Sequence, residues 1–370
     1  MKILFVGDTP NMWQHGIWWH RIQMPCNALS LRGHGLKQVA MGTEFQKSLL
    51  EWPDTVIFGR TYPAGYDPIK WMREFKRLGK RVLYDMDDDH WLIDKSNPSL
   101  LIANSQKDQY EGLLRETDAI ITPSKILGNK LKKHFRKPIF ICPNGIDYNI
   151  YQERPKDKPD LVIGYMGASS HWKDLKIIGE AVNQLASKYD FVFTIYGITA
   201  EPMEAAMYTY QRLLQGNYFP EKREYFQTAL DFYIQLKDMR MWHIPFMPPE
   251  LHPSVLGRCD FDIGLAPLED TEFNRSKSCV KFYEYASVGT VVLTSDVEPY
   301  KSEVNYRAKN TVKDWYNKLE KLIVDKDFRA KIGREQQEWV KKHRSVEAIG
   351  LDWELACQLP GGLKVLNQEK

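Results

Sequence analysis

The segment Tyr84-Asp85-Met86-Asp87-Asp88-Asp89-His90-Trp91 places four carboxylates in five positions. Mutual repulsion makes such a run costly unless something uses the charges. Three uses stand open. The carboxylates can orient or deprotonate a hydroxyl, with His90 beside them as a residue type that titrates near neutral pH. They can bind a divalent cation such as magnesium, which favours carboxylate oxygen. Or they can cap the next helix and face water. On the first use, Asp87, Asp88 and His90 are the candidate catalytic residues.

Two further constellations have the chemistry of an anion site. In GYMGASSHWKDL, residues 164–175, the small residues Gly167, Ser169 and Ser170 let a phosphate approach backbone amides where a helix begins, and Lys173 supplies a cation beside it. A tight turn with Lys173 in solvent is the plainer alternative. In NRSKSCVKFYEYASVGT, residues 274–290, Lys277, Lys281 and Glu284 are spaced four and three apart and share one helical stripe. The lysines can neutralise a diphosphate, and Glu284 can accept hydrogen bonds from two ribose hydroxyls. An exposed Lys–Glu pair is the competing reading. It is weakened because Phe282, Ala286 and Gly289 require the other faces to pack inward, and Gly289 ends the helix.

Near the N-terminus, Gly7-Asp8-Thr9-Pro10 through Gly16 contains no G-x-G-x-x-G, so the dinucleotide fingerprint is absent. Trp13, Trp18 and Trp19 either pack the core or form a stacking platform for a sugar ring or a base. Arg21 either meets an anionic acceptor group or forms an ion pair at the surface or between domains. Gly16, Trp18 and Arg21 are the candidate acceptor-binding residues.

These segments need a frame. Continuous apolar runs at Lys2–Gly7, Thr55–Gly59, Arg81–Asp85, Ala119–Pro123 and Pro138–Cys142 alternate with helical patterns at about 20–31, 68–78, 100–116 and 125–135. That rhythm predicts a parallel sheet buried on both faces. Asp147–Asp160 is polar, carries Pro155 and Pro159, and reads as a linker. A second series follows at 161–166, 191–196, 242–246, 261–266 and 290–294, with a helix over about 174–188. Thr199–Arg240 lacks strand signals and reads as an inserted helical pair. About 312–357 reads as three amphipathic helices. The expected class is α/β, with two tandem Rossmann-like domains over 1–150 and 151–345, an insertion at about 199–240, and a tail over 346–370 crossing back to the first domain. Ligands of such sheets bind beyond the carboxyl ends of the strands, where each constellation above falls.

At 370 residues the chain suits two cores. A net charge of +3 fits an anionic ligand without demanding nucleic acid. Cysteines 26, 142, 259, 279 and 357 form no C-x-x-C, so reduced thiols are expected rather than a zinc site or disulfide framework. The apolar run after Lys2 is too short for a signal peptide, and no stretch approaches the roughly 20 apolar residues that span a bilayer. A cytoplasmic protein is the resulting expectation.

Pro143-Asn144-Gly145-Ile146-Asp147, following PIFIC, resembles a hallmark of GT-B glycosyltransferases of family four. KFYEYASVGTVVLTSD, GYMGASSHWKDLK and ITPSK resemble further motifs of that family, in the same order, across about residues 1–345. The resemblance implies a GT-B fold with a deep interdomain cleft and a hexosyltransferase-type glycosyltransferase. It also implies a nucleotide-diphosphate-sugar donor such as a UDP- or GDP-sugar, retention of anomeric configuration, and no cofactor or metal. By position it gives Lys173 the donor diphosphate and Glu284 the ribose. Asn144 and Gly145 would shape the cleft wall. Three positions depart from the family pattern. Its earlier glutamate falls at Ser276, its phosphate-loop arginine is replaced by small residues and His171, and DMDDDHW stands where many members have a histidine-bearing turn.

The acceptor is left open as a glycan, a small molecule, or a hydroxylated modified base in DNA. The tryptophans, the aromatic insertion and Lys341-Lys342-His343-Arg344 motivate the DNA version, and the mild net charge argues against it. A nucleotide-sugar epimerase and a non-catalytic nucleotide-sugar-binding protein are the alternatives from other classes. The sequence contains no indication of oligomeric state.

Overall fold

The computed structural model describes residues 1–7, 15–60, 66–93, 104–151, 160–168, 171–197, 211, 220–236 and 238–358. Two six-stranded sheets, parallel throughout, organise it. The first joins β1 (Lys2–Gly7), β2 (Gly35–Ala40), β3 (Thr55–Gly59), β4 (Arg81–Asp85), β5 (Ala119–Thr122) and β6 (Ile139–Ile141). Their order is β2-β1-β3-β4-β5-β6. The second joins β7 (Val162–Met166), β8 (Val192–Tyr196), β9 (Met241–Ile244), β10 (Ile263–Ala266), β11 (Val291–Ser295) and β12 (Arg307–Ala308). It runs β12-β11-β10-β7-β8-β9. Both orders reverse direction once, between β1 and β3 and between β7 and β10. These are the switch points at which open α/β sheets hold ligands.

The strands read from sequence reappear because they are buried on both faces. Val56, Ile57, Phe58, Ile163, Tyr165, Phe193 and Leu293 are all essentially inaccessible. The sequence reading missed β2. Its residues GLKQVA sit on the sheet edge and are all exposed or half-buried, so no continuous apolar run marks them. The two-residue β12 is too short to carry a pattern.

The three tail helices appear as Val312–Val324, Lys326–Arg344 and Val346–Gln358. The last docks on the helix Met24–Leu31 of the first half. Trp353 is fully buried there, and its Nε1 donates to Pro143 O at 3.4 Å. Residues 359–370 of the expected tail lie outside the described residues. Of the insertion, the helix Pro220–Leu236 is described, with Phe232 and Tyr233 packed on Trp172. The partner helix expected in Thr199–Arg240 falls outside the described residues apart from Gln211.

Between β1 and β2 the helix His15–Leu31 contains a π turn at Trp19–Gln23. Pro25 has no N–H for the carbonyl of Arg21, and its ring crowds that oxygen. The wider turn resolves the conflict, with Met24 N bonding Trp19 O. It also turns Trp19, His20, Arg21 and Ile22 inward together.

Candidate donor and acceptor cleft

A cleft of about 360 Å³ opens at the carboxyl ends of both sheets. This is within the range of about 300–1,000 Å³ that small-ligand sites occupy. From the first half it is lined by Gly16, Trp19, His20, Arg21, Asp87, Asp88 and Asn144. From the second come Gly167, His171, His252, Lys277, Lys281 and Glu284.

The second-half wall is cationic. Lys277 lies over the Phe273 ring at 4.7 Å, and Lys281 over the Tyr165 ring at 4.7 Å, with its Nζ 3.0 Å from Tyr165 Oη. Desolvation, aided by Lys277, pushes the Lys281 amine down to about 8. Burial and the same two lysines push His171 down to about 4. Its Nδ1 stands 2.7 Å from Asp174 Oδ2. Gly167 leaves room for this arrangement, since a Cβ there would stand 2.5 Å from Tyr165 Oη and 3.0 Å from Lys281 Nζ.

Glu284 is the hub of the site. Its Oε1 receives His20 Nε2 at 3.1 Å, Tyr151 Oη at 3.0 Å and His252 Nε2 at 3.0 Å. Burial raises the carboxyl's pKa, but His252 and His20 outweigh it and hold the group well below the carboxylate range. An ionised carboxylate only accepts, so both imidazoles donate through Nε2. Supporting bonds continue outward. Trp19 Nε1 donates to Tyr151 Oη at 2.9 Å, and Tyr196 Oη stands 2.7 Å from His252 Nδ1. Oε2 takes no hydrogen bond among the described residues. His20, Tyr151 and His252 were absent from the sequence reading. They lie 264, 133 and 32 positions from Glu284 and share no local pattern with it.

The acidic run disperses to separate partners. Asp85 is bound to Arg21, and Asp89 to Lys130 at 2.9 Å. Asp87 faces Arg60 at 3.7 Å and His90 at 3.9 Å. Burial works to raise the Asp87 pKa, but Arg60, His90 and Arg21 hold it below its usual value. Asp88 lines the cleft and makes no ion pair among the described residues. Asp87 Oδ1 and His90 Nε2 are buried without hydrogen-bond partners among the described residues.

Several sequence-predicted positions need correction. Arg21 lines the cleft, but its guanidinium is occupied. Nε and Nη2 bind Asp85 at 2.9 and 2.5 Å, and Nη1 binds Cys142 O and Asn144 Oδ1, each at 2.8 Å. It therefore braces the wall instead of presenting a free cation. Trp18 points into the core, its Nε1 3.1 Å from Gln38 Oε1, so it does not line the cleft; Trp19 does. His90 lies behind the wall, stacked on Tyr110 at 4.4 Å. Burial holds its pKa below the usual histidine value. Gly145 faces the tail helix, since a Cβ there would stand 2.5 Å from Ile349 Cδ1. Asn144 keeps its cleft position and donates from Nδ2 to Ser278 Oγ at 2.8 Å. Lys173 is half-buried on the helix Trp172–Ala186 and does not line the cleft. Ser169, Ser170, Trp13 and most of the Asp8–Gly16 loop lie outside the described residues. Ser276 turns its Oγ to Glu272 O at 3.2 Å and does not line the cleft. In the basic tail segment, Arg344 binds Glu303 at 2.6 Å and His343 bonds Trp339 O at 2.8 Å.

No family model matches the sequence, and no curated protein matches it. Solved structures do match. A sucrose-phosphate synthase from Thermosynechococcus elongatus is similar over 96% of this chain and 98% of its own, with TM-score 0.64 and 11% identity. An alpha-glucosyltransferase in complex with UDP is similar over 97% of this chain and 100% of its own, with TM-score 0.65 and 12% identity. An alpha-glucosyltransferase in complex with UDP-glucose and DNA containing an abasic site is similar over 97% and 99%, with TM-score 0.66 and 12% identity. Likeness at this identity shows the GT-B fold. Among the described residues, no helix is long and apolar enough to cross a membrane.

Proposed function

We propose that the chain is a glycosyltransferase that moves a hexosyl group from a nucleotide-diphosphate sugar to an acceptor hydroxyl, with retention and without a metal. The observation that carries this reading is Glu284, which has one oxygen locked by three donors and the other unbonded among the described residues, one helical turn from Lys281 on the wall of the cleft. The unbonded oxygen of an ionised carboxylate accepts from a hydroxyl of a ribose diol, and Lys277 and Lys281 lie where the attached diphosphate follows. Solved relatives in fold that hold UDP or UDP-glucose support it.

In this reading the bond between the anomeric carbon and the phosphate oxygen breaks as positive charge builds on the ring. Lys277, Lys281 and backbone amides near Gly167 stabilise the leaving diphosphate. The acceptor oxygen bonds to the anomeric carbon on the face the diphosphate leaves, and its proton passes to a phosphate oxygen. Asp87 and Asp88 orient the acceptor hydroxyl. Closure around the substrates limits hydrolysis by water. Glycans and small molecules suit the acidic first-half wall. Salt-dependent retention on DNA tests the modified-base version, and no retention at low salt removes it.

The deciding experiment is a thermal-shift screen of UDP- and GDP-sugars with and without EDTA. Stabilisation by one donor, unchanged by EDTA, is expected. No shift and no calorimetric binding with any donor overturns the donor reading. A shift abolished by EDTA overturns metal independence. Turnover of donor without any acceptor identifies an epimerase, and binding without turnover across an acceptor panel identifies a binding protein.

A further inference from the structure

The network around Glu284 leaves one buried nitrogen unused. His20 is 8% exposed and lines the cleft. Its Nε2 donates to Glu284 Oε1, and its Nδ1 is buried with no hydrogen-bond partner among the described residues. Apart from Glu284 Oε2, the other polar side-chain atoms that the network orders are satisfied among the described residues. Tyr151 Oη receives from Trp19 and gives to Glu284, while His252 bonds Glu284 through Nε2 and Tyr196 through Nδ1. A buried polar group left unpaired is costly, so an unpaired nitrogen at the edge of a ligand cleft marks a place where a ligand completes it. The π turn turns His20 inward, and the Glu284 bond sets which nitrogen is bare.

We propose that His20 is a specificity residue for the donor nucleotide. Its Nδ1 accepts a hydrogen bond from one hydroxyl of the ribose diol, while Glu284 Oε2 accepts from the neighbouring hydroxyl. This rests on the reading of Glu284 as the ribose carboxylate and extends it across the cleft, because His20 belongs to the first half and Glu284 to the second. One diol then bridges both halves, and a nucleotide lacking either hydroxyl leaves one of the two acceptors unpaired.

The test is calorimetry of UDP and GDP against their 2′-deoxy and 3′-deoxy forms, on the wild type and on two variants. In His20→Gln the amide nitrogen reaches the position of Nε2 and preserves the bond to Glu284, while nothing replaces Nδ1. In His20→Asn the side-chain oxygen falls near Nδ1 and the Glu284 bond is lost. Thermal unfolding of each variant checks that it folds. The wild type is expected to bind each deoxy form about tenfold more weakly than the ribonucleotide. In His20→Gln one of these penalties disappears and the other remains, and His20→Asn restores part of the lost one. Ribonucleotide binding with both penalties unchanged in His20→Gln overturns the role of His20 and leaves the donor reading standing. Absence of UDP and GDP binding to the wild type overturns both.

Discussion

Arg21 and Asp85 meet through two hydrogen bonds, Nε to Oδ2 at 2.9 Å and Nη2 to Oδ1 at 2.5 Å, with both side chains at least 95% buried. The guanidinium also bonds Cys142 O and Asn144 Oδ1 and lies over the Trp353 ring at 4.7 Å. One side chain thereby joins β4, the end of β6 and the tail helix. Burial alone lowers the Arg21 pKa, but Asp85 outweighs it and raises it, while burial raises the Asp85 pKa against the pull of Arg21. Removing one member strands the other. Arg21→Met is expected to cost about 3–5 kcal/mol of stability in denaturant unfolding. Unchanged stability with acceptor affinity lost would return Arg21 to an acceptor-binding role.

Lys281 carries a pH dependence. Its amine is pushed down to about 8 in the free protein, below the usual lysine value. Between those two pH values the unfolded chain holds a proton that the folded one has shed, so this group's contribution to stability rises with pH across that window. A bound diphosphate favours the ammonium form. Nucleotide binding near pH 8 is therefore expected to take up a fraction of a proton, and affinity to fall as pH rises above 8. Calorimetry in two buffers of different ionisation enthalpy reads the uptake. Zero uptake in wild type, or uptake unchanged in Lys281→Met, defeats the assignment.

Asp87 and Asp88 are the acidic-run members that line the cleft. Asp87→Asn is expected to lower the transfer rate by about 10²-fold, the scale of a misplaced reacting group. Donor affinity should stay within twofold. An unaffected transfer rate would remove Asp87 from acceptor positioning.

Gly145 seats the tail. A methyl group there would meet Ile349 Cδ1 at 2.5 Å and Arg344 O at 3.2 Å. The side chain can shift, but the carbonyl belongs to the backbone that pairs with Ile146. Gly145→Ala is expected to cost about 1–3 kcal/mol by overpacking, with nucleotide affinity retained. Full stability with weakened nucleotide binding would place Gly145 in the cleft wall instead.

What the sequence determined by itself is whatever is encoded along one element. Thr55–Gly59 and Arg81–Asp85 were legible as strands because a parallel strand buried on both faces must be apolar throughout. The edge strand Gly35–Ala40 escaped because it is under no such demand. The stripe Lys277, Lys281 and Glu284 was legible because three- and four-residue spacing places side chains on one helical face. Only the tertiary structure decided what those groups face. Four aspartates within five positions have the same intrinsic chemistry, yet Arg21 takes one, Lys130 another, Arg60 and His90 flank a third, and the fourth is left to the cleft. Desolvation and pairing depend on which side chains arrive from across the fold. The three donors that converge on Glu284 Oε1 come from a π turn, the segment after β6 and the helix His252–Arg258. Distances along the chain contain no trace of that convergence, because two sheets had to fold and close around the carboxylate before it existed.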